Sequence, residues 1–148
     1  LLIDIASVLK SAVRNEDTVA RIGGDEFTIL IEEVPDRASL GRVTEKILLA
    51  FERDFRLGDA HIRVTPSLGV SLSPDDGQDA ETLMQNADAA MYRAKANGRN
   101  TYRFHNALQR SSSFALRALV RLGLLLAFLI LAFGPLHAPD HVFHRLGL

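Results

Sequence analysis

A chain of 148 residues is long enough for one domain with a real core and too short for two of ordinary size. It contains no cysteine, which removes disulfides, zinc–thiolate sites and thiol catalysis together and fits a reducing cytoplasm. Its net charge of -1 hides an asymmetry: residues 110–148 carry 4 Lys+Arg against 1 Asp+Glu, leaving 13 against 17 in residues 1–109, so the acidic part lacks the basic stripe of a sequence-independent nucleic-acid binder.

The chain starts at Leu1-Leu2-Ile3, inside an apolar periodic pattern and without an initiator Met, as expected of a fragment whose start lies upstream. Leu2, Ile5, Ala6, Leu9 and Val13 share one face of a helix that ends near Arg14-Asn15. Arg14-Asn15-Glu16-Asp17 is a polar link into the first of two apolar strands, Asp17 to Ile22 and Phe27 to Ile31. Between these strands stand two glycines followed by two acids, Gly23-Gly24-Asp25-Glu26. A tight hairpin turn favours glycine because it needs positive φ. Two bare backbones beside two carboxylates also suit a polyphosphate lying against the main chain with its divalent cation.

Pro35-Asp36 breaks the second strand, and Asp36 is placed to cap a helix over roughly 37–56 with the stripe Leu40, Val43, Ile47, Phe51 and Phe55. From Ile62 to Leu72 the period becomes two, with Pro66 marking an edge, a bulge or a strand start. After the turn Ser73-Pro74-Asp75-Asp76-Gly77, Asp79 caps a helix whose stripe is Ala80, Leu83, Met84, Ala87, Met91 and Ala94, closed by Gly98. Lys95 and Arg99 lie four apart at its end, where the helix dipole favours cations in any case. A short strand from Thr101 to Phe104 completes an α/β (α+β type) domain: a mixed, mainly antiparallel sheet flanked by helices. The hairpin acids and the Lys95/Arg99 pair make sense as two halves of one site, since a triphosphate needs positive charge on its terminal oxygens as well as a metal. Arg21 beside the glycines adds a further charge or faces solvent.

Residues 106–116, with Ser111-Ser112-Ser113, read as a linker. Leu122 to Pro139 then runs eighteen residues without Asp, Glu, Lys or Arg, behind Arg110, Arg117 and Arg121. An apolar helix over 117–136 is expected there, either a membrane span across 118–136, a docking helix or a stretch that is not native structure, with 137–148 as a tail. His137, His141 and His144 have helical spacing, but Pro139 interrupts them and no carboxylate cluster accompanies them.

The segment Arg21-Ile22-Gly23-Gly24-Asp25-Glu26-Phe27 resembles the signature of the GGDEF family of diguanylate cyclases. Asp17-Thr18-Val19-Ala20, Ser67-Leu68-Gly69-Val70 and the run from Ala87 to Asn100 resemble further family blocks at family spacing, covering residues 1 to about 105. The resemblance implies the nucleotide cyclase/polymerase palm fold and condensation of two GTP molecules to cyclic di-GMP and pyrophosphate, with Mg²⁺ or Mn²⁺. It also implies a homodimer in which two domains face each other, each holding one GTP. By motif position, Gly23 and Gly24 would lie against the phosphates, Asp25 and Glu26 would be catalytic and metal-binding, and Lys95 and Arg99 would hold the terminal phosphates. Arg14 and Asp17 fit the family's RxxD site, where product binds and restrains the enzyme.

The family's first strand, with a metal-binding Asp and the residues that read guanine, has no counterpart in this sequence. The 148 residues alone are therefore expected to be inactive, and an intact parent to be a cyclase on the cytoplasmic side, attached to the inner membrane if the apolar run is a span. Two other readings stay open: a GGDEF module that only binds GTP or cyclic di-GMP and regulates a phosphodiesterase or other partner, and a nucleotide-polymerising enzyme with a similar sheet.

Overall fold

Helix α1, Leu2–Ala12, buries Ile5, Val8, Leu9 and Ala12, the side of its apolar stripe that faces the core. The structure, a computed structural model, describes residues 1–105 and 126–133. Strands β1 (Thr18–Gly23) and β2 (Glu26–Glu32) form the expected hairpin, and helix α2 follows over Arg37–Ala50. Asp36 caps it, accepting a hydrogen bond from the Ser39 amide at 2.6 Å.

The chain then departs from the expected pattern. Helix α2 stops at Ala50 instead of near residue 56, and a small separate hairpin, β3 (Asp54–Leu57) and β4 (Ala60–Arg63), comes next. Phe51 and Phe55 sit four apart as a helical pair would, yet Phe51 is the C-cap and Phe55 lies on β3. Both are buried, with ring centroids 5.5 Å apart, so the spacing reflects stacking across a chain reversal. Gly58, with φ of 61°, supplies the turn. The expected long strand from 62 to 72 is likewise two strands, β4 and then β5 (Pro66–Leu72), with Pro66 as the first residue of β5.

Helix α3, Ala80–Ala96, begins at the Asp79 cap, whose side chain accepts from the Thr82 amide at 2.8 Å, and ends before Gly98 at φ of 97°. Strand β6, Thr101–Phe104, pairs in parallel with β5.

The largest correction concerns the apolar run near the C-terminus. Leu126–Phe133 is not helical; it is strand β7. The five-stranded sheet has the order β1-β2-β7-β5-β6, so β7 is its middle strand, antiparallel to β2 and to β5. A run of leucine, isoleucine and phenylalanine suits a fully covered central strand as well as a helix, and the flanking Gly134-Pro135 stops the pattern at strand length. Among the described residues no helix is long and apolar enough to cross a membrane. The linker 106–116, the rest of the expected helix and the histidines of the tail lie outside the described residues.

Alternate residues of the central strands face opposite layers. Phe27, Ile29 and Ile31 of β2 and Leu68, Val70 and Leu72 of β5 join the core formed with α1 and α2. Leu30 points the other way and packs with Leu83, Ala87 and Met91 of α3. Gly69 lies on that second face, and a Cβ there would collide with the Ala87 carbonyl oxygen and the Met91 amide. A mixed, mainly antiparallel sheet between α1/α2 and α3 is the α+β architecture expected from the sequence.

Candidate functional site

The hairpin turn between β1 and β2 consists of Gly24 and Asp25, with Gly23 closing β1 and Glu26 opening β2. Gly24 has φ of 51°, so glycine is favoured there by the backbone itself. Gly23 is different: its φ is ordinary, and a Cβ would meet no atom within 4 Å. The fold does not need glycine at 23, whereas a ligand lying against the main chain would. Arg21 does not simply face solvent. Its Nε and Nη2 donate to the Gly24 carbonyl oxygen at 3.0 and 2.8 Å, bracing the turn. Asp25 is exposed and Glu26 half-buried, so the two carboxylates stand at the open end of the hairpin.

Sheet register fixes what lies near this turn. Glu26 is opposite Ala132 on β7, Ala132 opposite Ser67 on β5, and Ser67 opposite Thr101 on β6. The hairpin turn, the start of β5, the start of β6 and the C-terminal end of α3 therefore share one end of the sheet. Lys95 sits in the last turn of α3, half-buried, and Arg99 in the link to β6, exposed with φ of 58°. From β2 to β6 is three strand spacings, about 14 Å. Among the described residues no hydrogen bond or ion pair joins Asp25 or Glu26 to Lys95 or Arg99, so the acids and the cations stand apart at one end of the sheet. Two hydroxyls near this end, Thr28 Oγ1 and Ser67 Oγ, are buried without a hydrogen-bond partner among the described residues. In the sequence Ser67 has no signal of its own beyond its motif, because a serine in an alternating strand is unremarked by any periodicity.

Among the described residues no three His, Cys, Asp or Glu side chains gather as a metal cluster. Asp25 and Glu26 supply two carboxylates, and a Mg²⁺ that keeps several waters is one that binds through one or two carboxylates together with substrate phosphates.

Arg14 and Asp17 lie at the opposite end of the hairpin. Asp17 is buried; its Oδ2 accepts from the Arg14 amide at 2.8 Å, and its own amide donates to the Arg14 carbonyl at 3.2 Å, which fixes the four-residue link as a turn. Its Oδ1 is buried without a hydrogen-bond partner among the described residues. Both residues line a cleft of about 410 Å³ between the end of α1, the end of β2 and the start of α2. Arg42 and Lys46 also line it, four apart on α2. In the sequence that pair reads only as a solvated helix face, and the topology alone turns it toward Arg14.

An α+β sheet with a glycine-acid hairpin and a cationic helix end at one edge is the combination expected of the GGDEF family. The profile of the family described as diguanylate cyclase, GGDEF domain, matches residues 1–101, and the chain belongs to the GGDEF family. It is 45% identical over 106 residues to the bifunctional diguanylate cyclase/cyclic di-GMP phosphodiesterase MucR of Pseudomonas aeruginosa, covering 70% of this chain and 15% of that protein. It is 38% identical over 101 residues to diguanylate cyclase A of Treponema denticola, covering 68% of this chain and 27% of that protein. The chain thus spans about a quarter or less of these relatives. Among solved structures it resembles an EAL/GGDEF domain protein from M. capsulatus, with TM-score 0.66 and 44% identity over 70% of this chain and 67% of that one. It also resembles the GGDEF domain of TpbB (YfiN) from Pseudomonas aeruginosa, with TM-score 0.68 and 31% identity over 70% of this chain and 65% of that one.

Proposed function

We propose that this GGDEF domain, within a longer protein, condenses two GTP molecules to cyclic di-GMP with release of pyrophosphate. The supporting observation is what one sheet end gathers: a bare glycine backbone and two carboxylates on the hairpin, and two cations at and just after the end of α3. Gly23 and Gly24 let the triphosphate approach the main chain, and Lys95 and Arg99 neutralise its terminal oxygens. Asp25 and Glu26 hold Mg²⁺ or Mn²⁺, which when bound supplies charge neutralisation at the phosphates. Asp25 also serves, in this reading, as the base that accepts the proton of the attacking 3′-hydroxyl. Each domain offers one such site, so two domains must face each other in a homodimer for each 3′-hydroxyl to reach the other's α-phosphate.

The cleft at the far end of the hairpin is the product site in this reading. The Arg14 guanidinium is suited to grip guanine or phosphate through two donors, and Asp17 to accept from guanine. Asp25→Ala in the full-length protein is expected to lower cyclic di-GMP formation by about 10²–10³-fold or more, measured by chromatography of the products. Synthesis at the wild-type rate would overturn the proposal. Arg14→Ala should let synthesis continue at product concentrations that stop the wild type, and equal sensitivity to product would remove the inhibitory assignment.

A second reading is favoured by the relatives named as phosphodiesterases, PdeR of Escherichia coli and NbdA of Pseudomonas aeruginosa, which are 33% and 34% identical to this chain. In that reading the domain binds GTP or cyclic di-GMP and regulates a partner domain. An Asp25→Ala protein that keeps its full cellular effect would support it. Synthesis is a property of the longer protein in either case, and cyclic di-GMP formation by the isolated 148 residues would contradict that.

A further inference from the structure

Helix α3 closes with more left-handed backbone than its termination requires. Asn97 is the C-cap, and both its amide and its Nδ2 donate to the Arg93 carbonyl oxygen, at 3.1 and 2.7 Å. The Arg99 amide reaches back to the Ala94 carbonyl oxygen at 3.3 Å, and Gly98 between the two has φ of 97°. This is the Schellman closure, which needs a left-handed residue at one place, the place that Gly98 fills. The left-handed backbone nevertheless continues, with φ of 58° at Arg99 and 46° at Asn100, before Thr101 opens β6.

Left-handed backbone brings Cβ too close to the following carbonyl oxygen. Glycine escapes that strain and asparagine tolerates it, whereas arginine has no such advantage. Among the described residues the non-glycine positions at positive φ are Glu33, Arg99 and Asn100, and Glu33 lines the cleft beside Arg14 and Asp17. Strain of this kind thus gathers at the two candidate sites, as it does where backbone geometry serves a ligand. At residues 99 and 100 the fold offers nothing in return. Both are exposed, and neither side chain has a hydrogen bond or ion pair among the described residues. They stand at the sheet end that carries the hairpin acids, because Thr101 is opposite Ser67, Ser67 opposite Ala132, and Ala132 opposite Glu26.

We infer that Gly98-Arg99-Asn100 is a strained arm that presets the Arg99 guanidinium for the terminal phosphate of a nucleoside triphosphate, with Asn100 as its positioning residue. Two successive left-handed residues fix the direction of the Arg99 Cα–Cβ bond before the ligand arrives, so less freedom is lost when the guanidinium takes up phosphate oxygens. Asn100 acts through its backbone: it accepts the conformation that aims its neighbour and touches no ligand itself. The ligand rests on the nucleotide reading proposed above, and the strain does not.

The strain is tested on the 148-residue chain. Arg99→Gly is expected to raise its thermal midpoint by about 2–4 °C, because glycine adopts positive φ freely. An unchanged or lower midpoint would overturn the inference. The aim of the arm is tested in the full-length protein by calorimetry with GTP and Mg²⁺. Asn100→Val, whose branched side chain is excluded from left-handed backbone, should weaken GTP binding by about tenfold, and Asn100→Gly by less than about threefold. Equal losses in the two would mean that the Asn100 side chain itself holds the nucleotide, and no loss in Asn100→Val would mean that the arm does not aim Arg99; either result overturns the inference. If Asn100→Val does not fold, Asn100→Ala takes its place with the same outcomes. A wild type that binds no GTP, or an Arg99→Ala protein that binds it unchanged, would overturn the inference through the nucleotide reading, and the Arg99→Gly midpoint distinguishes that failure from the absence of strain.

Discussion

At Gly69 the helix α3 backbone comes so close to β5 that no side chain fits, since a Cβ would meet both the Ala87 carbonyl and the Met91 amide. Backbone cannot move aside as a flexible side chain can, so Gly69→Ala should destabilise the domain by about 1–3 kcal/mol or more, read as a lower urea midpoint with an unchanged slope. The N-caps give a second prediction at this scale. Hydrogen bonds from the backbone and side chain of Ser39 lower the pKa of Asp36 below 3.8, and those from Thr82 do the same for Asp79. A carboxylate whose folded pKa is depressed contributes stability that is present above its unfolded pKa and is lost as pH falls through the folded value. Asp79→Ala should therefore lower the thermal midpoint by a few degrees at neutral pH, and by progressively less as the pH drops below about 3.8. Equal effects at pH 7 and pH 2 would contradict the capping account.

Elements are joined by a buried ionic knot as well as by apolar packing. Arg37, in the first turn of α2, donates from Nη2 to both Asp76 oxygens at 2.9 and 2.8 Å, and from Nη1 to the His105 carbonyl at 3.3 Å. Asp76 also accepts from the Leu72 amide at 2.9 Å, and its side chain is fully buried. One carboxylate thus ties α2, the end of β5 and the end of β6 together. Removing one member of such a group strands the others in a low-dielectric interior, and Asp76→Ala should cost about 3–5 kcal/mol in chemical denaturation. The elements most legible in the sequence were those whose signals are local: α1 and α3 from apolar spacing, the caps Asp36 and Asp79, and the glycine turn. The β3–β4 hairpin is hidden in the sequence because Phe51 and Phe55 mimic a helical stripe. Strand β7 is hidden because a short apolar run has no period that separates a strand from a helix. The site residues were readable as residue types in a spaced pattern, but that Arg14, Asp17, Arg42 and Lys46 enclose one cleft depends on tertiary contacts between α1, β2 and α2.

For the whole molecule, the two candidate sites lie at opposite ends of one hairpin, and both rest on β2, which in turn rests on β7. A proline in a central strand removes a ladder donor and is not accommodated there. Ile130→Pro should therefore expose amides of both β2 and β5 to hydrogen exchange, not those of one strand only. Loss of protection confined to one side would argue against the central position of β7.

The position of β7 also sets the order of events during synthesis. The partners Glu26 and Ala132 are separated by about a hundred residues, a long-range pairing whose loop-closure cost slows folding. A chain leaving the ribosome N-terminus first has its hairpin and helices made well before the strand that joins them. Among the described residues only 126–133 pair with the inner edges of β2 and β5, so until that segment emerges those edges lack this partner, and unpaired strand edges are starting points for aggregation. A product that stops short of residue 126 would lack that pairing, and of the described strands β7 is the one made last.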